Sequence, residues 1–224
     1  MTYMKERPNR DDGPAGAETV VTRRRTEPHQ SSAQHRESQP FPSDDELYVE
    51  VCRAARNVTE ADRDWLEENG VTDRKLADWG DLGAAHVRFH DTYYEPAEDG
   101  PRALITRVAD WVGTADLIAW LPSRPDAWAF RRGTTWALGE PDFEKSEFEQ
   151  AKLRIYRTPL RWLAAPDDEF KLCVLDWSTA WPRILGGPQL IVEDKAHASE
   201  IRRHLCRPHL SPPKMFVEDR CDDG

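Results

Sequence analysis

Between residues 153 and 205 three short apolar runs alternate with stretches of helical spacing. LRIY (153–156) precedes TPLRWLAA, KLCVLDW (171–177) precedes PRILGG, and PQLIVED (188–194) precedes HASEIRRHL. Runs this short, apolar on both sides, read as strands buried on two faces. TPLRWLAA has Pro159 in its first turn, where its missing N–H costs nothing. PRILGG reads as a short turn of helix. A strand–helix repeat of this kind implies a small parallel sheet, because the crossover helix carries the chain back to start each strand in the same direction. That constraint also says where to look for chemistry. In a parallel sheet, ligands gather at the carboxyl ends of the strands.

Four side chains fall there: Arg157 after the first strand, Asp176 after the second, and Glu193 and Asp194 after the third. Two readings follow. Carboxylates at one sheet edge can hold a hard cation such as magnesium through oxygen ligands. Alternatively, Asp176 and Asp194 cap the helices that follow them. Arg157 weighs on that choice, since an arginine at the same edge can pair with Asp194 and supply the charge a metal would otherwise bring. The expectation is that no metal and no cofactor is held there.

Upstream the rhythm differs. Residues 81–150 form an antiparallel β region with a linker, in which the period is two from about residue 85. AHVRFHDTYYEP puts Val87 and Phe89 on one face, and ALITRVADWVGTADLIAWLP reads as a hairpin around Gly113. WAFRRGTTWAL follows as a further strand pair or a strand and bend. EPDFEKSEFEQAK is a charged helix or linker. Trp111, Trp120, Trp128 and Trp136 crowd this antiparallel region. They are either core or an aromatic face on which single-stranded bases stack. Residues 44–80 form a helical cap of three helices, opened by Ser43, Thr59 and Thr72. Residues 1–43 lack apolar spacing and read as a disordered tail, with Arg23, Arg24 and Arg25 as its basic cluster. Residues 151–224 form the small α/β subdomain, with PPKMFVED as a late edge strand. The fold class is thus α+β.

Several functions are excluded or disfavoured. The chain has 41 acidic and 31 basic Asp, Glu, Lys and Arg residues and a net charge of -10, which repels nucleic-acid phosphate. No G-x-x-x-x-G-K-[ST] loop and no G-x-S-x-G elbow occurs, and Ser178 lacks flanking glycines. His204, Cys206, His209 and Cys221 lack zinc-ligand spacing. With Cys52 and Cys173 the cysteines form no C-x-x-C pair. MTYMKERPNRDD has no apolar signal region, and no run is long enough to span a bilayer. These features place the chain in a reducing cytoplasm with free thiols. Heavy use of Arg, Ala, Asp, Pro and Trp suggests a GC-rich bacterial or phage genome.

The order of these segments resembles that of bacterial and phage primases. DWLEENGV (64–71) is similar to their "Y-L-x-x-R-G-I" segment, with Trp65, Leu66, Gly70 and Val71 in the matching places and Asn69 replacing the arginine. PRALITRVADWVGTADLIAW (101–120) resembles their "A-L-I-x-x-V-x-D-x-x-G" hairpin through Ala103, Leu104, Asp110 and Gly113. LRIYRTPLRWL and LIVEDKAHASEIRRHL look like the first and third strands of a Toprim domain. The resemblance departs at the catalytic positions. Arg157-Thr158 stands where the family has Glu-Gly, and Ala196 stands where the second aspartate of D-x-D belongs. The family zinc finger is absent from the sequence. The resemblance therefore implies a metal-free relative, of a bacterium or mobile element, that binds a replication protein or single-stranded nucleic acid. A metal-dependent nuclease or primase using Asp176, Glu193 and Asp194 is the enzymatic alternative, and a plain protein-interaction module is the third.

Overall fold

The computed structural model describes residues 41–72 and 82–206, all within the unit Gln39–Gly224. The expected tail up to residue 40, the third cap helix, His209, Cys221 and the late edge strand lie outside the described residues. Helix α1 (Asp44–Arg56) starts with a capping box. The Ser43 N–H donates to Glu46 Oε2 at 2.6 Å, and the Glu46 N–H donates to Ser43 Oγ at 3.3 Å. Thr59 and Asp62 repeat the device for α2 (Glu60–Glu68). Gly70, at φ +87, turns the chain after α2, where an L side chain would be strained.

A five-stranded antiparallel sheet follows: β1 (Leu82–Phe89), β2 (Tyr94–Pro96), β3 (Arg102–Ala109), β4 (Thr114–Leu121) and β5 (Arg124–Phe130), in the order β2-β1-β3-β4-β5. The β3–β4 hairpin turns at 110–113, where Asp110 Oδ1 accepts the N–H groups of Val112 and Gly113, both at 2.8 Å. Both faces of this sheet are covered, and alternation along β4 sorts its side chains. Leu117 and Ala119 pack with Leu47, Val51 and Ala54 of α1, while Ile118 and Trp120 enter the central core with Leu66 of α2. Helix α1 lies so close to β1 that a Cβ on Gly83 would overlap the backbone of Ala54. The two first helices are therefore part of the core, one on each face of the sheet.

The second sheet has the order β6-β8-β7-β9, from β6 (Ala137–Leu138), β7 (Leu153–Tyr156), β8 (Lys171–Val174) and β9 (Leu190–Val192). Strands β8, β7 and β9 are parallel, with Ile155 opposite Leu172 on one side and Val192 on the other. Strand β6 is antiparallel to β8, so the sheet is mixed. Of the two readings of WAFRRGTTWAL, the strand and bend is the one found, since β5 ends the first sheet and β6 belongs to the second. The cause is Asp116, fully buried on β4. Its two carboxylate oxygens accept the N–H groups of Leu117, Arg132, Gly133 and Thr134 at 2.7–3.1 Å, which bends residues 132–134 away from the hairpin. The next residues then pair with β8.

Four helices complete this half: α3 (Glu140–Phe148), α4 (Pro159–Ala164), α5 (Trp177–Gly186) and α6 (Lys195–Leu205). Leu160, Trp162 and Leu163 of α4 face the central core, whereas Phe143, Ala180, Ile184 and Ile201 pack on the outer face. Placement on opposite faces follows from handedness. The chain moves from β7 to β8 in one direction and from β8 past β7 to β9 in the other, and right-handed crossovers then require opposite faces. Helix α5 is longer than the turn expected at PRILGG. Its cap, Asp176, starts it earlier, and it tolerates Pro182 in its interior.

Candidate functional site

The strand order reverses at β7, so a crevice opens between the carboxyl ends of β7 and β9. That is where doubly wound sheets bind ligands. Here the crevice is occupied by the protein's own charges. Arg157, directly after β7, donates from both terminal guanidinium nitrogens to the two oxygens of Asp194, each at 2.9 Å. Its backbone N–H donates to Glu193 Oε2 at 3.1 Å, and its Nε lies 3.5 Å from Glu200 of α6. The fork is bidentate, the geometry in which an arginine matches a carboxylate best.

Asp194 has a second task. It is the N-cap of α6 and accepts the His197 N–H at 2.8 Å. The Arg157 guanidinium and that N–H hold its carboxyl well below the usual carboxylate range. The Asp194 side chain also strengthens the charged form of Arg157. His197 is buried, with Nδ1 3.5 Å from Glu193 Oε2 but without hydrogen-bond geometry. Burial, then the Arg157 charge, push its pKa below the ordinary value.

Asp176 does not join this group. It sits at the end of β8, on the far side of β7, and caps α5. Its oxygens accept Ser178 N–H at 2.8 Å, Ser178 Oγ at 2.6 Å and Thr179 Oγ1 at 2.7 Å. Burial raises its pKa, but those donors outweigh it and the net shift is downward. The three acids thus divide into two caps and one acceptor for a backbone N–H. Among the described residues no group of three or more His, Cys, Asp or Glu is placed to hold a metal ion. His204 stacks on Trp177, ring centroids 4.7 Å apart, and Cys206 is the C-cap of α6. Cys173 is buried, and burial pushes its thiol far up.

The tryptophans do not share a face. Trp120 is fully buried, tilted against Trp65, with Nε1 donating to Thr106 Oγ1 at 2.9 Å. Trp136 is buried in the outer cluster, edge-on to Phe143 and beneath Arg183. Trp128 is half-buried and ties the two sheets through Leu175 O. Only Trp111 of the four is exposed; it stands at the hairpin tip and donates to Glu144 of α3. Of the two readings of these tryptophans, core or stacking face, Trp120 and Trp136 are core.

Sequence reasoning missed His197 and Glu200. The signal was present, because His197 lies in the first turn of the helix that Asp194 caps, three and four residues after the two acids. Among the described residues no helix is long and apolar enough to cross a membrane. Comparison with protein-family models, with curated protein sequences and with solved structures gives no match.

Proposed function

We propose that the chain is a non-catalytic, Toprim/primase-like protein that works by binding a protein of a replication system. The observation that carries this reading is the Arg157–Asp194 fork across the β7–β9 crevice. A divalent-ion site concentrates negative charge that the ion neutralises. Here a fixed guanidinium takes that place, and Asp176 and Glu193 are turned to other partners. The order β8-β7-β9, with helices on both faces, is that of doubly wound sheets in general, the arrangement a Toprim-like domain would need. A protein partner fits better than single-stranded nucleic acid. Two of the four candidate stacking rings are core, and α2 carries Glu60, Asp62, Asp64, Glu67 and Glu68, which phosphate would avoid.

The reading is tested with a single-stranded DNA template, nucleoside triphosphates, and magnesium or manganese. Neither primer synthesis nor strand cleavage is expected above the buffer control. Metal-dependent turnover that disappears in Asp194→Ala overturns the proposal in favour of the nuclease or primase alternative.

A further inference from the structure

A groove of about 590 Å³ lies where the first turn of α1, the β3–β4 hairpin tip and the segment before β6 meet. It is remote in sequence from the β7–β9 crevice and uses none of its residues. Two features mark it as a place built to receive something. Thr135, only 8% exposed, lines it, and its Oγ1 has no hydrogen-bond partner. A buried hydroxyl without a partner is costly, so such groups are normally satisfied. Tyr48 and Val112, 58% and 93% exposed, stand at the groove and offer apolar surface to an occupant.

Charge decides the class of that occupant. The lining carries four acids, Asp44, Asp45, Asp110 and Glu140, against Arg107 and Arg132, a formal balance of two negative charges. Arg132 is already paired to Asp44 at 2.6 Å, and Glu140 to Arg183 at 2.5 Å. Asp45 makes no ion pair among the described residues. An anion would meet this excess of carboxylates, while an ammonium or guanidinium group could reach Asp45 and donate to the Thr135 hydroxyl. The wider surface agrees, since residues 44–68 hold nine acids and three arginines.

We infer that this groove docks a basic segment of a protein partner, a lysine or arginine side chain flanked by an apolar residue that rests on Tyr48 and Val112. The inference builds on the reading of the chain as a protein-binding module. It assigns the docking surface and the chemistry of what docks.

The test uses the full chain and a fluorescein-labelled hexapeptide of alternating lysine and leucine, with a glutamate–leucine hexapeptide as control, followed by anisotropy at low ionic strength. The basic peptide is expected to bind and the acidic one not. Asp45→Lys, Thr135→Val and Val112→Ser should each weaken binding by about tenfold or more. Val112 is almost fully exposed, so its variant reports on docking without disturbing the core. Absence of basic-peptide binding overturns the inference. So does equal binding by all three variants, which would show only diffuse attraction to an acidic chain. Binding that emerges only when residues 1–40 are deleted also overturns it and gives the groove to the chain's own Arg23–Arg25 cluster. None of these outcomes bears on metal-dependent turnover, so failure here and failure of the non-catalytic reading are told apart.

Discussion

Replacing Asp116 with asparagine isolates the device that sends the chain from one sheet to the other. In the wild type Oδ1 accepts the N–H groups of Leu117 and Arg132, and Oδ2 accepts those of Gly133 and Thr134. Burial raises the carboxyl above its ordinary range against the pull of these four donors. An asparagine keeps one oxygen, and its NH₂ group then faces two N–H donors. Two buried hydrogen bonds to a charged acceptor are lost at about 1.5–3 kcal/mol each, or roughly 3–6 kcal/mol together. For a domain of this size that corresponds to a fall in Tm of more than about 6 °C. Asp110→Asn is the control. Its single accepting oxygen, Oδ1, survives the change, and the loss should stay within about 0.5 kcal/mol. Urea unfolding followed by far-ultraviolet circular dichroism measures both. A loss under about 1 kcal/mol for Asp116→Asn would refute the cradle as a structural determinant.

Trp120→Ala should cost on the order of 3–5 kcal/mol in the same assay, since it opens a cavity between the sheets and strands the Thr106 hydroxyl; a loss below about 1 kcal/mol would place the ring outside the core. Gly83→Ala should destabilise by about 1–3 kcal/mol, because its Cβ meets the Ala54 backbone, and an unchanged melting curve would contradict the close α1–β1 contact. His197 gives a pH dependence. Its folded-state pKa lies below the unfolded value of about 6.5, so the unfolded chain takes up the proton first, and stability present above that pH is lost as the pH falls through the folded value. His197→Leu should flatten the decline in Tm below about pH 6.5, and identical slopes for variant and wild type would contradict the assignment.

The elements legible in the sequence are those with local punctuation. Ser43 and Thr59 announce α1 and α2 through capping boxes, and LRIY, KLCV and LIV are short apolar runs at the expected places. What could not be read is set by contacts between distant residues. Strand β6 is two residues long and owes its sheet to Asp116, whose amide partners lie up to 18 positions away. Nothing in the local sequence separates Trp111 from Trp120, yet one stands at a turn and the other between two sheets. Asp176 and Asp194 share the same local signature, an acid between a strand and a helix. Only the order β8-β7-β9 puts Asp194 beside Arg157 and leaves Asp176 on the other side.

On the proposed reading, Arg157 stands at the β7–β9 crevice where a divalent ion would otherwise be held. Isothermal titration calorimetry with magnesium, on the wild type, Asp194→Ala and Arg157→Glu, tests it most directly. A flat titration is expected for the wild type and for Asp194→Ala. Heat of binding is expected only from Arg157→Glu, where the guanidinium is gone and the new carboxylate joins Glu193, Asp194 and Glu200. Micromolar magnesium binding by the wild type that vanishes in Asp194→Ala would contradict that reading.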